Sequence, residues 1–237
     1  MAGQERTEAV KNRLAHPGPW LRVGLDAALL ALLLAALAFR ITGRAPHEWL
    51  GLGFCLALAL HLFWNRRWFT SLFSGRYSPR RLLAALVNLA LCAAVCLLFC
   101  GGALNSRHVF HLSGFVDGEV LRQIHCLAAY WLLAAAGLHL GLHGDMLLAR
   151  FRIRLPKSAG RAVAVLLVAF GLFACRERDM AAKLFEGFSF DFWDPASPIA
   201  LFFAYNLGIA LMFAVPVHYL LKPARNGGRN SELGAGS

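Results

Sequence analysis

Six stretches of this chain, at about residues 23–39, 49–65, 82–106, 123–144, 162–175 and 195–221, carry almost no formal charge, over lengths near the roughly 20 apolar residues that a bilayer-spanning helix requires. The 237 residues are 58% hydrophobic and 16% charged, and the charges gather in short clusters between the apolar stretches instead of alternating along amphipathic faces. A backbone immersed in lipid must satisfy its own N–H and C=O groups, which restricts such segments to helices or a closed barrel, and runs this long specify helices. The expected fold is therefore all-α, a polytopic membrane bundle of six transmembrane helices. The run at 162–175 is the shortest of the six.

The net charge of +11 raises nucleic acid as a partner, but the basic residues sit where helix ends are expected and so orient the chain in the lipid bilayer. Arg6, Lys11, Arg13 and Arg22 precede the first helix; Arg66, Arg67, Arg76, Arg80 and Arg81 separate the second from the third. Arg150, Arg152, Arg154, Lys157 and Arg161 separate the fourth from the fifth, and Lys222, Arg225 and Arg229 follow the sixth. This places both termini in the cytoplasm and supports the short fifth helix by parity, since without it the basic tail would lie outside. A cleaved signal peptide at 1–45 is disfavoured by the long leader and its Glu5, Glu8 and Asp26. The chain divides into a polar cytoplasmic leader (1–21), a four-helix membrane core (22–145), two further transmembrane helices with an aromatic outer loop (146–222) and a disordered cytoplasmic tail (223–237).

Within the expected core, His47 and His61 form one pair and His125 and His139 a second, each 14 residues apart. Two heptads return a helix to the same face, so each pair sets two imidazoles on one stripe, about 21 Å apart along the axis. Helices two and four both run from outside to inside, so His47 meets His125 at one depth and His61 meets His139 at another. Ionisable side chains inside a bilayer are costly and mark function. Matched imidazoles on separate rigid helices are the arrangement for bis-histidine ligation of two non-covalent b-type haems, with His47, His61, His125 and His139 as iron ligands. His143 also lies near the inner end of helix four. At about 3.5 residues per turn, 14 residues close four turns whereas 18 overshoot to about 5.1, swinging His143 by roughly 50° from the His139 stripe. His139 is thus the expected ligand and His143 a residue for a propionate, a quinone or the surface.

Room for a flat macrocycle is available at Gly51, Gly53, Gly101, Gly102, Gly137 and Gly141, and Arg66 and Arg122 are candidates for its propionates. Glu48 either orients its neighbour His47 or favours the helix N-terminus, and Pro46 marks that helix start. Cys55, Cys92, Cys96, Cys100, Cys126 and Cys175 form no Cys-x-x-Cys-His motif, which argues against covalently attached haem. Cys92, Cys96 and Cys100 read as small residues at a helix contact. His16, His108, His111 and His218 read as interfacial or solvated residues.

The string His47-Glu48-Trp49-Leu50-Gly51, followed by His61 and Asn65-Arg66-Arg67-Trp68, with Ile124-His125 and His139-Leu140-Gly141-Leu142-His143, resembles the flavinylation-associated cytochrome family of bacterial membrane proteins. The similarity extends over roughly residues 20–222. The resemblance implies a b-type cytochrome of the bacterial cytoplasmic membrane acting with extracytoplasmic proteins that carry flavin mononucleotide. The expected function is transmembrane electron transfer through two b haems, from a quinol or cytoplasmic donor, with quinone a further candidate cofactor. Two alternatives remain open: a membrane anchor subunit of a larger dehydrogenase or hydrogenase, and a histidine-lined transporter or metal-ion carrier. The second alternative fits less well with imidazoles toward helix ends and no acidic residue read at mid-span.

Overall fold

Each apolar run closes its own hydrogen bonds as a helix. In the computed structural model, which describes residues 18–112, 118–185 and 193–221, the elements are α1 (Pro19–Leu37), α2 (Phe39–Thr42), α3 (Arg44–Trp64), α4 (Arg67–Ser71), α5 (Pro79–Leu104), α6 (Gly118–Leu142), α7 (Gly144–Arg150), α8 (Lys157–Glu177), α9 (Met180–Phe185) and α10 (Ile199–Leu220). The described residues contain no strand. The ends obey local chemistry: the Ser78 hydroxyl accepts from the Arg81 N–H with Pro79 at the first helical position, and Gly43 turns α2 into α3 at φ 82°, a left-handed conformation that suits glycine. Helix α3 starts at Arg44, two residues before Pro46. The leader through Pro17 with His16, Asp117, residues 186–192 of the aromatic loop and the tail from Lys222 lie outside the described residues.

Six helices (α1, α3, α5, α6, α8 and α10) are long and apolar enough to cross a membrane, at 19 to 26 residues. The chain is a multi-pass membrane protein. The 14 uncharged residues at 162–175 become a 21-residue helix because Lys157, Arg161, Arg176 and Glu177 extend its ends. Leu56, Val165 and Leu166 are 65–68% exposed, a placement that water penalises and lipid does not.

Antiparallel α1 and α3 form one hairpin, α5 and α6 a second, and α10 packs between α6 and α8. Among the described residues, no close backbone packing of this kind joins the two hairpins. Helix α6 is the centre of the molecule, with Leu133 fully buried alongside Phe202 and Ile209 of α10. A Cβ at Gly137 or Gly141 would fall on the carbonyl oxygen of Ala210 or Ala214, so these two glycines let α6 and α10 touch backbone to backbone. They serve that contact, where the sequence offered them to a macrocycle. The sixth span, α10, thus packs directly on the α6 helix of the four-helix segment. Cys96 and Cys100 differ from expectation as well: both are exposed, pointing away from the helix contact anticipated for them. The segment after α8 is not simply solvated, since Arg178 and Lys183 are 3% and 4% exposed, with Arg178 over the Trp193 and Phe202 rings and Lys183 Nζ 4.9 Å from the Tyr130 ring centre.

Candidate functional site

The four paired histidines converge on the gap between the hairpins. His47 of α3 and His125 of α6 face each other with ring centres 5.8 Å apart and planes inclined by 76°. At the opposite end, His61, His139, His143 and Asp26 stand within electrostatic reach of one another. The outer pair, His47 and His125, is in direct ring contact across α3 and α6.

Each of the four rings is fixed through Nδ1. His47 donates to the Ala36 carbonyl at 2.8 Å and His125 to the Leu98 carbonyl at 2.7 Å. His61 lies 2.8 Å from Asp26 Oδ1 and His139 2.8 Å from Asn88 Oδ1. A carbonyl cannot donate, so the Nδ1 of His47 and of His125 carries the proton, and Nε2 keeps a free lone pair. Anchoring of this kind fixes the tautomer and plane of a ligating imidazole.

The two carbonyls are exposed by different means. Ala36 belongs to the last turn of α1, where carbonyls lack an intrahelical donor. Leu98 lies inside α5, and Gly102 four residues on clears the approach: a Cβ there would sit 2.9 Å from His125 Cε1 and 3.1 Å from its Nδ1. A Cβ at Gly101 would sit 3.2 Å from the Leu121 carbonyl oxygen and 3.3 Å from the His125 Cβ, tight but less so than at Gly102. Both glycines thus accommodate the His125 side chain. Gly51 borders open space, and a Cβ at Gly53 would meet only Leu32.

A cavity of about 110 Å³ opens beside His47 and His125, smaller than the roughly 300–1,000 Å³ of typical cofactor pockets. Its walls come from α1, α3, α5 and α6, among them Leu33, Gly51, Val95 and Ala129, and are predominantly apolar. Ser106, Val109 and Phe110 close its rim. The Glu48 carboxylate holds that rim, accepting from Ser106 Oγ at 2.8 Å and from the backbone N–H groups of Arg107, His108 and Val109 at 3.1, 2.8 and 3.1 Å. Ser106 Oγ in turn accepts from the Phe110 N–H at 2.9 Å. Glu48 therefore latches a loop over the site, beyond the two roles read from its position next to His47.

At the other end, Asn65 caps α3 by returning its N–H and its Nδ2 to the His61 carbonyl, at 3.0 and 2.8 Å, which fixes the backbone carrying His61. His143 follows the last residue of α6, and its ring centre lies 4.7 Å from that of His139. It makes no side-chain hydrogen bond among the described residues. Burial pushes the His143 imidazole below the ordinary histidine range, with Asp26 acting in the opposite sense. Arg66 folds over the Phe63 ring and donates to the Phe63 carbonyl, while Arg122 is paired with Glu119; the structure does not bring either to the cavity wall. His218 lies 3.6 Å from Asp145 and packs against Gly144, next to His143.

Two residues that hold these histidine rings, Asp26 and Asn88, were not singled out as site residues from the sequence. Each is an isolated polar residue inside an apolar run, and that signal marks them.

Two neighbouring imidazoles with free Nε2 lone pairs, His47 and His125, are the donor chemistry that would hold a haem iron. Among the described residues no three His, Cys, Asp or Glu side chains converge as a chelate. No family model, curated protein or solved structure matches the chain.

Proposed function

We propose that this protein is a dihaem b-type cytochrome that carries electrons across the bacterial cytoplasmic membrane, with both termini in the cytoplasm. The carrying observation is the opposed His47 and His125 rings, each tied through Nδ1, beside an apolar cavity walled by four helices. His47 and His125 hold the outer group, and His61 and His139 the inner. When bound, the two haems supply one-electron redox chemistry at two depths. The protein's part is to present four imidazoles at fixed orientation, exclude water at the outer site with the Glu48-latched rim, and keep the two sites on one parallel pair of helices. The resemblance in the strings around His47, His61, His125 and His139 supports flavin-carrying extracytoplasmic proteins as electron partners and a quinol or cytoplasmic donor.

The test is which centre each substitution removes. His47→Ala or His125→Ala is expected to abolish one bis-histidine signal in the optical and electron paramagnetic spectra of the purified chain, and His61→Ala or His139→Ala the other. Loss of both signals from every variant, or of neither from any, would overturn the assignment.

A further inference from the structure

The two hairpins repeat one pattern of support. In the first, Asp26 and Ala36 stand 10 residues apart on α1 and meet His61 and His47, which stand 14 apart on α3. In the second, Asn88 and Leu98 stand 10 apart on α5 and meet His139 and His125, again 14 apart on α6. Each hairpin therefore offers a backbone carbonyl to its outer histidine and a side-chain oxygen to its inner one. The repeat is broken in charge at a single place, where Asp26 stands opposite Asn88.

We infer that Asp26 is a tuning residue that gives the inner haem the lower reduction potential of the two. The inference rests on the dihaem reading above. An imidazole that donates to a carboxylate is a stronger electron donor than one that donates to a neutral carbonyl, and a nearby anion stabilises the oxidised, more positive iron. Asp26 Oδ1 lies 2.8 Å from His61 Nδ1, whereas both outer histidines meet neutral carbonyls inside an apolar wall, which disfavours the added positive charge. Both effects act in the same direction. Asp26 is about half exposed, so solvent screens part of its field but not the hydrogen bond it makes to the ring.

The pattern supplies its own converse experiment. Asp26→Asn keeps the shape and the acceptor but removes the charge; Asn88→Asp adds a charge at the equivalent position on His139. Redox titration of the full-length protein in detergent, following both haem absorption bands, should show two resolved midpoints. Asp26→Asn is expected to raise the lower midpoint and Asn88→Asp to depress it further, with the upper midpoint unmoved in both. Asp26→Glu should keep the ordering and serves if Asp26→Asn fails to assemble. Two bound haems whose lower midpoint stays fixed in Asp26→Asn and Asn88→Asp would overturn the role of Asp26 alone. A wild-type chain purified without haem would overturn the dihaem reading and this inference together.

Discussion

Gly102 determines whether His125 can reach the Leu98 carbonyl, because any Cβ at that position occupies the space of the imidazole edge. Gly102→Ala is expected to displace the ring and shift or erase the outer spectral centre while leaving the inner one intact, as read by low-temperature absorption spectra. His139 and His143 separate by the same kind of argument. Only His139 has its Nδ1 tied to a neighbouring helix, through Asn88, so His139→Ala should lose the inner centre and His143→Ala should retain it. Retention in His139→Ala with loss in His143→Ala reverses the assignment. The histidines were legible in the sequence because their 14-residue spacing lies within single helices. Their partners were not, since which residue of α1 meets His61 depends on the rotation and axial offset of two helices, and helical periodicity encodes neither.

At the scale of elements, two contacts carry the arrangement. The Glu48 carboxylate gathers four donors from the loop after α5, and hydrogen bonds to charged groups contribute about 1.5–3 kcal/mol each before solvent screening. Glu48→Ala is expected to cost about 1–3 kcal/mol of stability net of screening, and to increase access of external reductant or exogenous ligand to the outer centre. Stopped-flow reduction by dithionite measures that access, and an unchanged rate would remove the latch from the account. The second contact is α6 on α10. Gly137→Val or Gly141→Val forces a branched side chain into the Ala210 or Ala214 backbone, and overpacking of this kind costs about 1–3 kcal/mol or more. A lowered melting temperature in detergent, followed by tryptophan fluorescence, is the expected readout. The sequence announced these glycines as places of close approach but not what approaches, because glycine leaves the same signature beside a cofactor and beside a helix. The cysteine face of α5 shows the same ambiguity: the spacing of Cys92, Cys96 and Cys100 sets one stripe, and packing turns Cys96 and Cys100 outward.

For the whole molecule, the alternation of apolar runs and basic clusters was enough to specify six helices, since the bilayer permits few other structures and each run is close to one span in length. What it left open was how the helices group. Two hairpins with a gap between them, and α6 shared between α5 and α10, follow from side-chain shape at particular crossings, Gly137 and Gly141 among them. The basic clusters further require opposite locations for reporters placed after Ser106 and at Asn226, the second cytoplasmic. Like locations would contradict an even number of crossings between the termini. The central claim is that four anchored imidazoles supply two complete sites, and haem stoichiometry tests it most directly. A pyridine haemochrome assay against quantitative amino-acid analysis, on protein expressed with ample haem, should give two acid-acetone-extractable b haems per chain; fewer than one per chain would contradict the account.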